Sequence, residues 1–159
     1  MNFVYKTIKT PLGQLKLVAS HLGLRAILWE HEDERRLKIS VCTKDAKHSV
    51  LVETERQLND YFSGRLKQFF ITLDFHGTEF QKEVWKALLS IPFGEKRSYG
   101  QIARLIGRPK ASRAVGTAIG KNPISIIAPC HRVIGQDGSL TGFAGGLEAK
   151  AFLLNWESR

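Results

Sequence analysis

The chain reads as an α+β fold: a small antiparallel-sheet domain over residues 1–76, then a mainly helical domain over 77–159 that contains a helix-turn-helix. Three observations predict this. Phe3–Ile8, Gln14–Ala19 and Leu24–Trp29 are short runs rich in apolar and β-branched residues, separated by turn residues. Thr78 with Gln81, and Ser98 with Gln101, have the spacing of N-terminal capping boxes. His76-Gly77-Thr78 stands between the two patterns and marks the boundary.

Taken in order, Thr10-Pro11-Leu12-Gly13 and His21-Leu22-Gly23 are the turns that join the three strands, with Pro pre-setting φ and Gly free to take positive φ. The charged segment from Glu30 to Lys38 is a loop or a surface helix. Residues 49–62 place Val50, Leu51, Leu58, Tyr61 and Phe62 near one helical face, and Gly64 ends that helix. Phe69–Phe75 reads as another strand. In the second domain a helix runs from Thr78 to about Ser90, with Phe80, Val84, Leu88 and Ile91 on one face and Trp85 beside it. A short helix follows Ser98 and stops at Gly107, with Pro109 beyond. A third helix covers about Ala111–Ile119. The closing helix, Leu147–Trp156, carries Phe152, Leu153 and Trp156 as core. The short helices about Gly107 are the helix-turn-helix.

The 159 residues carry a formal charge of +9, with 43% of residues hydrophobic. Residues 1–76 hold 12 basic and 9 acidic residues, and 77–159 hold 12 and 6, so most of the excess lies in the second domain. Such a balance fits a polyanionic partner or a solvated basic surface. No run approaches the roughly 20 apolar residues that span a bilayer, and the N-terminus lacks the pattern of a secretory signal. Two cysteines, Cys42 and Cys130, make no disulfide framework and suit a reducing compartment. His21, His31 and His48 lack zinc-ligand spacing, so no metal is expected.

The third helix is rich in small residues: Ala111, Ala114, Gly116, Ala118 and Gly120, with Lys110 and Arg113 basic. Such a surface permits close approach either to a nucleic-acid groove or to another helix. Further on, the apolar run Ile126-Ile127-Ala128 leads into Pro129-Cys130-His131-Arg132-Val133. A thiol beside a basic pair sits in surroundings that favour thiolate, whereas Cys42, in a polar stretch without such partners, reads as an incidental thiol. Thr141-Gly142-Phe143-Ala144-Gly145-Gly146 lacks the context of a phosphate-binding fingerprint.

The Pro129–Val133 stretch resembles the active-site motif of the methylated-DNA–protein-cysteine methyltransferases, which act on O6-alkylguanine in DNA. Thr10–Gly13 and Gln57–Gly64 match the same family more weakly, in family order. The resemblance spans nearly the whole chain and is strongest from Phe80 to Glu157. It implies a ribonuclease-H-like first domain and a helix-turn-helix that lies in the minor groove. It implies that Cys130 accepts the alkyl group, that His131 takes the thiol proton and that Glu157, twenty-seven positions after Cys130, orients the histidine. Tyr99 helps rotate the target nucleotide and protonates guanine, Arg113 fills the space left by the flipped base, and Asn122 braces the turn before the thiol. Lys110, Ala111, Ser112, Ala114, Gly116 and Arg132 are the further DNA contacts implied, and Val133, Phe143, Ala144 and Gly145 line the base pocket. Many relatives have tyrosine at Phe143 and some have serine at Ala144. The expected partner is double-stranded alkylated DNA, with O4-alkylthymine as a second substrate, no cofactor, no metal, no membrane, a monomeric state and a cytoplasmic location. The competing readings are a non-catalytic sensor of alkylated DNA, a sequence-specific regulator with an incidental thiol, and a cysteine hydrolase.

Overall fold

The computed structural model describes residues 2–32, 34–37, 39, 42–140 and 142–159. The chain splits into two compact units, Met1–His76 and Gly77–Arg159.

In the first unit, β1 (Phe3–Thr10), β2 (Gly13–Ser20) and β3 (Gly23–Trp29) form an antiparallel meander, with Tyr5 opposite Val18 and Leu17 opposite Ile27. Between the pairs Val18–Ala26 and Ala19–Leu24 the extra residue Arg25 bulges from β3 and lets that strand bend. A fourth strand that no local pattern announces, β4 (Cys42–Lys44), pairs parallel to β1 and completes the order β3-β2-β1-β4. Cys42 therefore lies in a strand, half-buried against the cluster of Phe3, Val18, Ala26 and Leu28. Residues of opposite parity, Leu15, Leu17 and Ile27, are fully buried. Helix α1 (Ser49–Phe62) packs across β1, β2 and β3 with Leu51, Leu58 and Tyr61 inward. Between β3 and β4 a 3₁₀ turn covers Glu34–Leu37, while Asp33 and Lys38 lie outside the described residues.

The strand expected over Phe69–Phe75 is reduced to one parallel bridge, Leu24 to Leu73. Leu24 N donates to Thr72 O at 2.9 Å and Asp74 N to Leu24 O at 2.8 Å. Further back, the buried Gln57 side chain stands in for a strand: its amide donates to Phe70 O at 3.0 Å and accepts from Phe70 N at 2.8 Å. Gly23 makes the close approach possible, because a Cβ there would stand 2.5 Å from Thr72 O.

In the second unit, α2 (Glu79–Leu88) and α3 (Tyr99–Leu105) both start with complete capping boxes. Thr78 Oγ1 accepts from Gln81 N at 3.1 Å, and Ser98 Oγ accepts from Gln101 N at 3.1 Å. Helix α3 ends in a Schellman turn: Gly107 N donates to Arg104 O and Arg108 N to Ala103 O, with Gly107 at φ 78°. Helix α4 (Ser112–Gly120) packs on both with Val115, Ala118 and Ile119. The buried Trp85 indole donates to Ala118 O at 2.9 Å, satisfying a carbonyl in the last turn of α4. Strands β5 (Arg97–Ser98) and β6 (Val133–Ile134) pair parallel, and α5 (Leu147–Glu157) closes the unit.

Helix α5 departs from the expected core. Leu153 is buried, but Phe152 is 36% exposed and stacks on Trp156, centroids 6.3 Å apart. The inward face is Ala149, Lys150, Leu153 and Glu157. Two charged side chains are buried there because each meets partners of matching chemistry. Among the described residues, no helix is long and apolar enough to cross a membrane.

Candidate active site

Cys130 stands at the head of a 3₁₀ turn, Cys130–Arg132, which runs directly into β6. The preceding segment is tied to Asn122, which follows α4 and is 1% exposed. Its amide donates to Ala128 O at 2.9 Å, and its carbonyl oxygen accepts from Ile124 N at 3.0 Å. The Asn122 and Ser125 side chains stand near enough to the Cys130 thiol to favour its charged form. The thiol is 4% exposed. Burial pushes its pKa up, while Asn122, the charge of Lys150 and Ser125 pull the other way.

His131 is fully buried, and its Nε2 lies 2.8 Å from Glu157 Oε2 at the end of α5. Burial holds the imidazole pKa below its usual value against the pull of Glu157, so the ring is neutral at neutral pH. In the neutral ring one nitrogen donates and the other accepts. Pairing with a carboxylate assigns the proton to Nε2 and leaves Nδ1 as the acceptor. Nδ1 is buried and makes no protein hydrogen bond among the described residues.

Burial alone would raise the Glu157 carboxyl. Hydrogen bonds and charge from His131 and Arg132 outweigh it and hold the group far below the usual carboxylate range. The Arg132 fork grips Glu157 through Nε to Oε1 at 2.7 Å and Nη2 to Oε2 at 2.9 Å, and its Nη1 donates to Ile91 O at 2.6 Å. The ring of Phe93 lies 5.8 Å from the guanidinium. Lys150, 1% exposed, donates to Val133 O at 2.7 Å.

Beside α4 lies an open cavity of about 530 Å³, lined by Tyr99, Arg113, Gly116, Gly120 and Gly142 among others. Tyr99 is the first residue of α3, and a Cβ on Gly116 would lie 3.5 Å from its ring. Ser112, Arg113, Ala114 and Thr117 are exposed, as is Lys110, while Ala111 and Gly116 are half-buried. The packing reading of the small residues holds for Ala118, which faces inward, while a face rich in small and polar residues stays open.

The chain that brings this buried Cys-His-Glu set beside a helix-turn-helix is similar to known proteins. Residues 79–159 match the family described as 6-O-methylguanine DNA methyltransferase, DNA binding domain, and residues 3–75 match its ribonuclease-like domain. A methylated-DNA–protein-cysteine methyltransferase of Methanosarcina mazei is 50% identical over 153 residues, covering 96% of each chain. This chain belongs to the methylated-DNA–protein-cysteine methyltransferase family. The crystal structure of the Mycobacterium tuberculosis O6-methylguanine methyltransferase is 47% identical, with a TM-score of 0.87 over 98% of this chain and 93% of that one. The same organism's protein in complex with DNA is 46% identical, again with a TM-score of 0.87, over 99% and 93%.

Measured against the family expectation, Cys130, His131, Glu157 and Asn122 come together in one buried cluster, and Tyr99 and Arg113 share the cavity beside α4. Val133 is fully buried, and Phe143, Ala144 and Gly145 are half-buried in the turn that leads into α5. Thr141 of that loop lies outside the described residues. The expectation that Arg132 touches DNA is corrected. It is 5% exposed and its guanidinium is turned inward onto Glu157 and Ile91, so it is not presented to a phosphate. Lys150 and Ser125 went unnoticed in the sequence. A lysine within a helix reads as a solvated face, and a serine before an apolar run reads as a turn; neither carries a local sign of the thiol it approaches through the fold.

Proposed function

We propose that this protein repairs DNA by moving the alkyl group from O6-alkylguanine irreversibly onto Cys130. The observation that carries the reading is the buried pairing of His131 Nε2 with Glu157. It leaves Nδ1 as the ring nitrogen able to accept a proton, on the residue next to the thiol in the chain. His131 Nδ1 takes the thiol proton through a bridging water. The sulfur then attacks the saturated carbon on O6, a C–S bond forms, the C–O6 bond breaks and its electron pair stays on the guanine. Tyr99 supplies a proton to the leaving base, and backbone N–H groups near O6 stabilise developing charge. Glu157 fixes the ring tautomer and stabilises the imidazolium, as an orienting carboxylate does in other nucleophilic sites. The thioether product has no easy hydrolytic exit, so each molecule reacts once.

Binding follows from the open face of α4. Placed in a minor groove, where the hydrogen-bond code is degenerate, that face scans without regard to sequence, and chemistry on the base requires it to leave the stack. Arg113 takes the vacated space. The family's DNA-bound relative and the charge of the second unit support this reading. The test is intact-mass measurement after incubation with a short duplex containing O6-methylguanine. One methyl on Cys130, saturating at one per protein, is expected. An unchanged mass with lesion-selective binding would make the protein a sensor. O4-methylthymine in the same duplex tests the second substrate.

A further inference from the structure

Arg132 belongs to the thiol turn, yet its side chain is directed into the second unit and is 5% exposed. Nε and Nη2 form a fork on Glu157, at 2.7 Å to Oε1 and 2.9 Å to Oε2. This two-pronged geometry is the strong, directional form of an arginine–carboxylate pair. Nη1 points away from the fork and donates to Ile91 O at 2.6 Å, in the turn between α2 and β5. The same turn sets the Phe93 ring 5.8 Å from the guanidinium. It also brings Gly94 so close to α5 that a Cβ there would stand 3.1 Å from Glu157 O. One guanidinium therefore joins three segments: the thiol turn, the α2–β5 turn and the end of α5.

Glu157 needs such a partner. It is the last residue of α5, where the helix dipole opposes a negative charge, and it is 4% exposed. A carboxylate persists in such a place only when it is paired and hydrogen-bonded. His131 is held neutral and shares one hydrogen bond with Oε2. Arg132 brings a full positive charge and engages both oxygens. Its Nη2 and the His131 Nε2 meet on the same oxygen, Oε2, at 2.9 and 2.8 Å. The fork thus sets where the oxygen that orients the imidazole stands, and removes the rotamer freedom a long glutamate side chain otherwise has.

We propose that Arg132 is a positioning residue for the reaction at Cys130: its fork holds the Glu157 carboxylate, and through it the His131 imidazole, in the arrangement that lets Nδ1 take the thiol proton. The inference rests on the transfer reading above and deepens it. Arg132 acts through Glu157 and keeps its own protons throughout. Its charge also opposes proton uptake by its neighbours. The ionisable groups about the His131–Glu157 pair are Cys130 and Arg132 on the thiol turn and Lys150 on α5. The turn Ile91–Gly94 brings no ionisable side chain, and Arg97 of β5 pairs with Glu95. Loss of the Arg132 cation raises the proton affinity of both His131 and Glu157, which titrate as a coupled pair. Either proton stops the reaction. An imidazolium cannot accept the thiol proton, and a neutral carboxyl cannot stabilise the imidazolium that forms.

Arg132→Met and Arg132→Lys in the full chain test this. Single-turnover methyl transfer from an O6-methylguanine duplex is followed against pH. The His131 ring nitrogens are followed by NMR of protein carrying isotope-labelled histidine, their signals identified by their absence from His131→Gln. Arg132→Met should move the acid limb of the rate, and the titration of the ring, up by about 1–3 pH units. Arg132→Lys keeps the charge and loses the fork. Its acid limb should stay within about half a unit of the parent's, while its plateau rate falls on the order of 10-fold to 100-fold, the scale of a reacting group misplaced by about 1 Å. Its imidazole should show both tautomers where the parent shows one. A loss of packing alone would lower both plateaus and move neither limb. A limb that stays put in Arg132→Met, or a plateau and a single tautomer in Arg132→Lys that match the parent's, overturns the proposal. Should Arg132→Met fail to fold, the tautomers of Arg132→Lys decide, and a single tautomer there overturns it. If the parent takes no methyl from DNA while the His131 titration shifts as expected, the transfer reading fails and the hold of Arg132 on the pair stands.

Discussion

At the scale of single residues, the centre of the second unit is a carboxylate shared between two roles. Glu157 fixes the His131 tautomer with Oε2 and grips Arg132 with both oxygens. Removing one partner of a buried ion pair leaves the other charge uncompensated and costs about 3–5 kcal/mol. Glu157→Gln should therefore lower unfolding stability by about that much, since a neutral amide leaves the Arg132 guanidinium unpaired. It should also slow methyl transfer on the order of 100-fold or more, the scale of a lost general base. Chemical denaturation and single-turnover kinetics measure the two effects; a stability within about 1 kcal/mol of the parent would falsify the shared role. Sequence spacing placed Glu157 and His131 together because the resemblance carries both positions. It misplaced Arg132, because an arginine beside an active-site cysteine in a basic chain reads as a phosphate ligand. Only the fold reveals that a buried carboxylate already claims it.

At the scale of elements, what was legible is what is encoded locally. A capping box is a reciprocal pair of hydrogen bonds three residues apart, so Thr78/Gln81 and Ser98/Gln101 announce α2 and α3 directly. The β1–β3 meander is equally local, since each turn joins adjacent strands. By contrast β4 is three residues long and pairs with β1 across some forty positions, which leaves no periodic trace. The Phe69–Phe75 segment has strand composition, yet its backbone groups at Phe70 are taken by the Gln57 side chain. Composition also left the purpose of α4 open. Its Val115, Ala118 and Ile119 face is spent on the core, so only the Ser112–Arg113–Thr117 side is free to meet a ligand. If that side enters the groove and Arg113 holds the gap behind a flipped base, Arg113→Ala should slow repair of duplex DNA at least tenfold more than attack on the free O6-alkylguanine base, on the order of the few kcal/mol that unstacking demands. Equal losses on the two substrates would remove the base-flipping role from this helix.

At the scale of the whole molecule, acid and base act through groups buried in the second unit. His131 is held neutral by burial, with a folded pKa below its usual value. The stability this group contributes is fully present above the unfolded pKa of about 6.5 and is lost as pH falls through the lower folded value. Glu157 also has a depressed folded pKa, so its contribution is present above the usual carboxylate range and is lost on further acidification. Cys130 has the opposite sign. Its thiol is pushed up by burial, so stability declines once pH exceeds the unfolded thiol value of about 8.5. Stability should therefore hold a plateau between about pH 6.5 and 8.5 and fall on both sides. Replacing Cys130 with alanine should extend the plateau on the alkaline side alone and leave the acid limb in place. Thermal melts of the parent and Cys130→Ala across this range read both limbs. An alkaline limb that survives in the variant would mean that groups other than the thiol set it, and that burial of Cys130 does not limit the folded state.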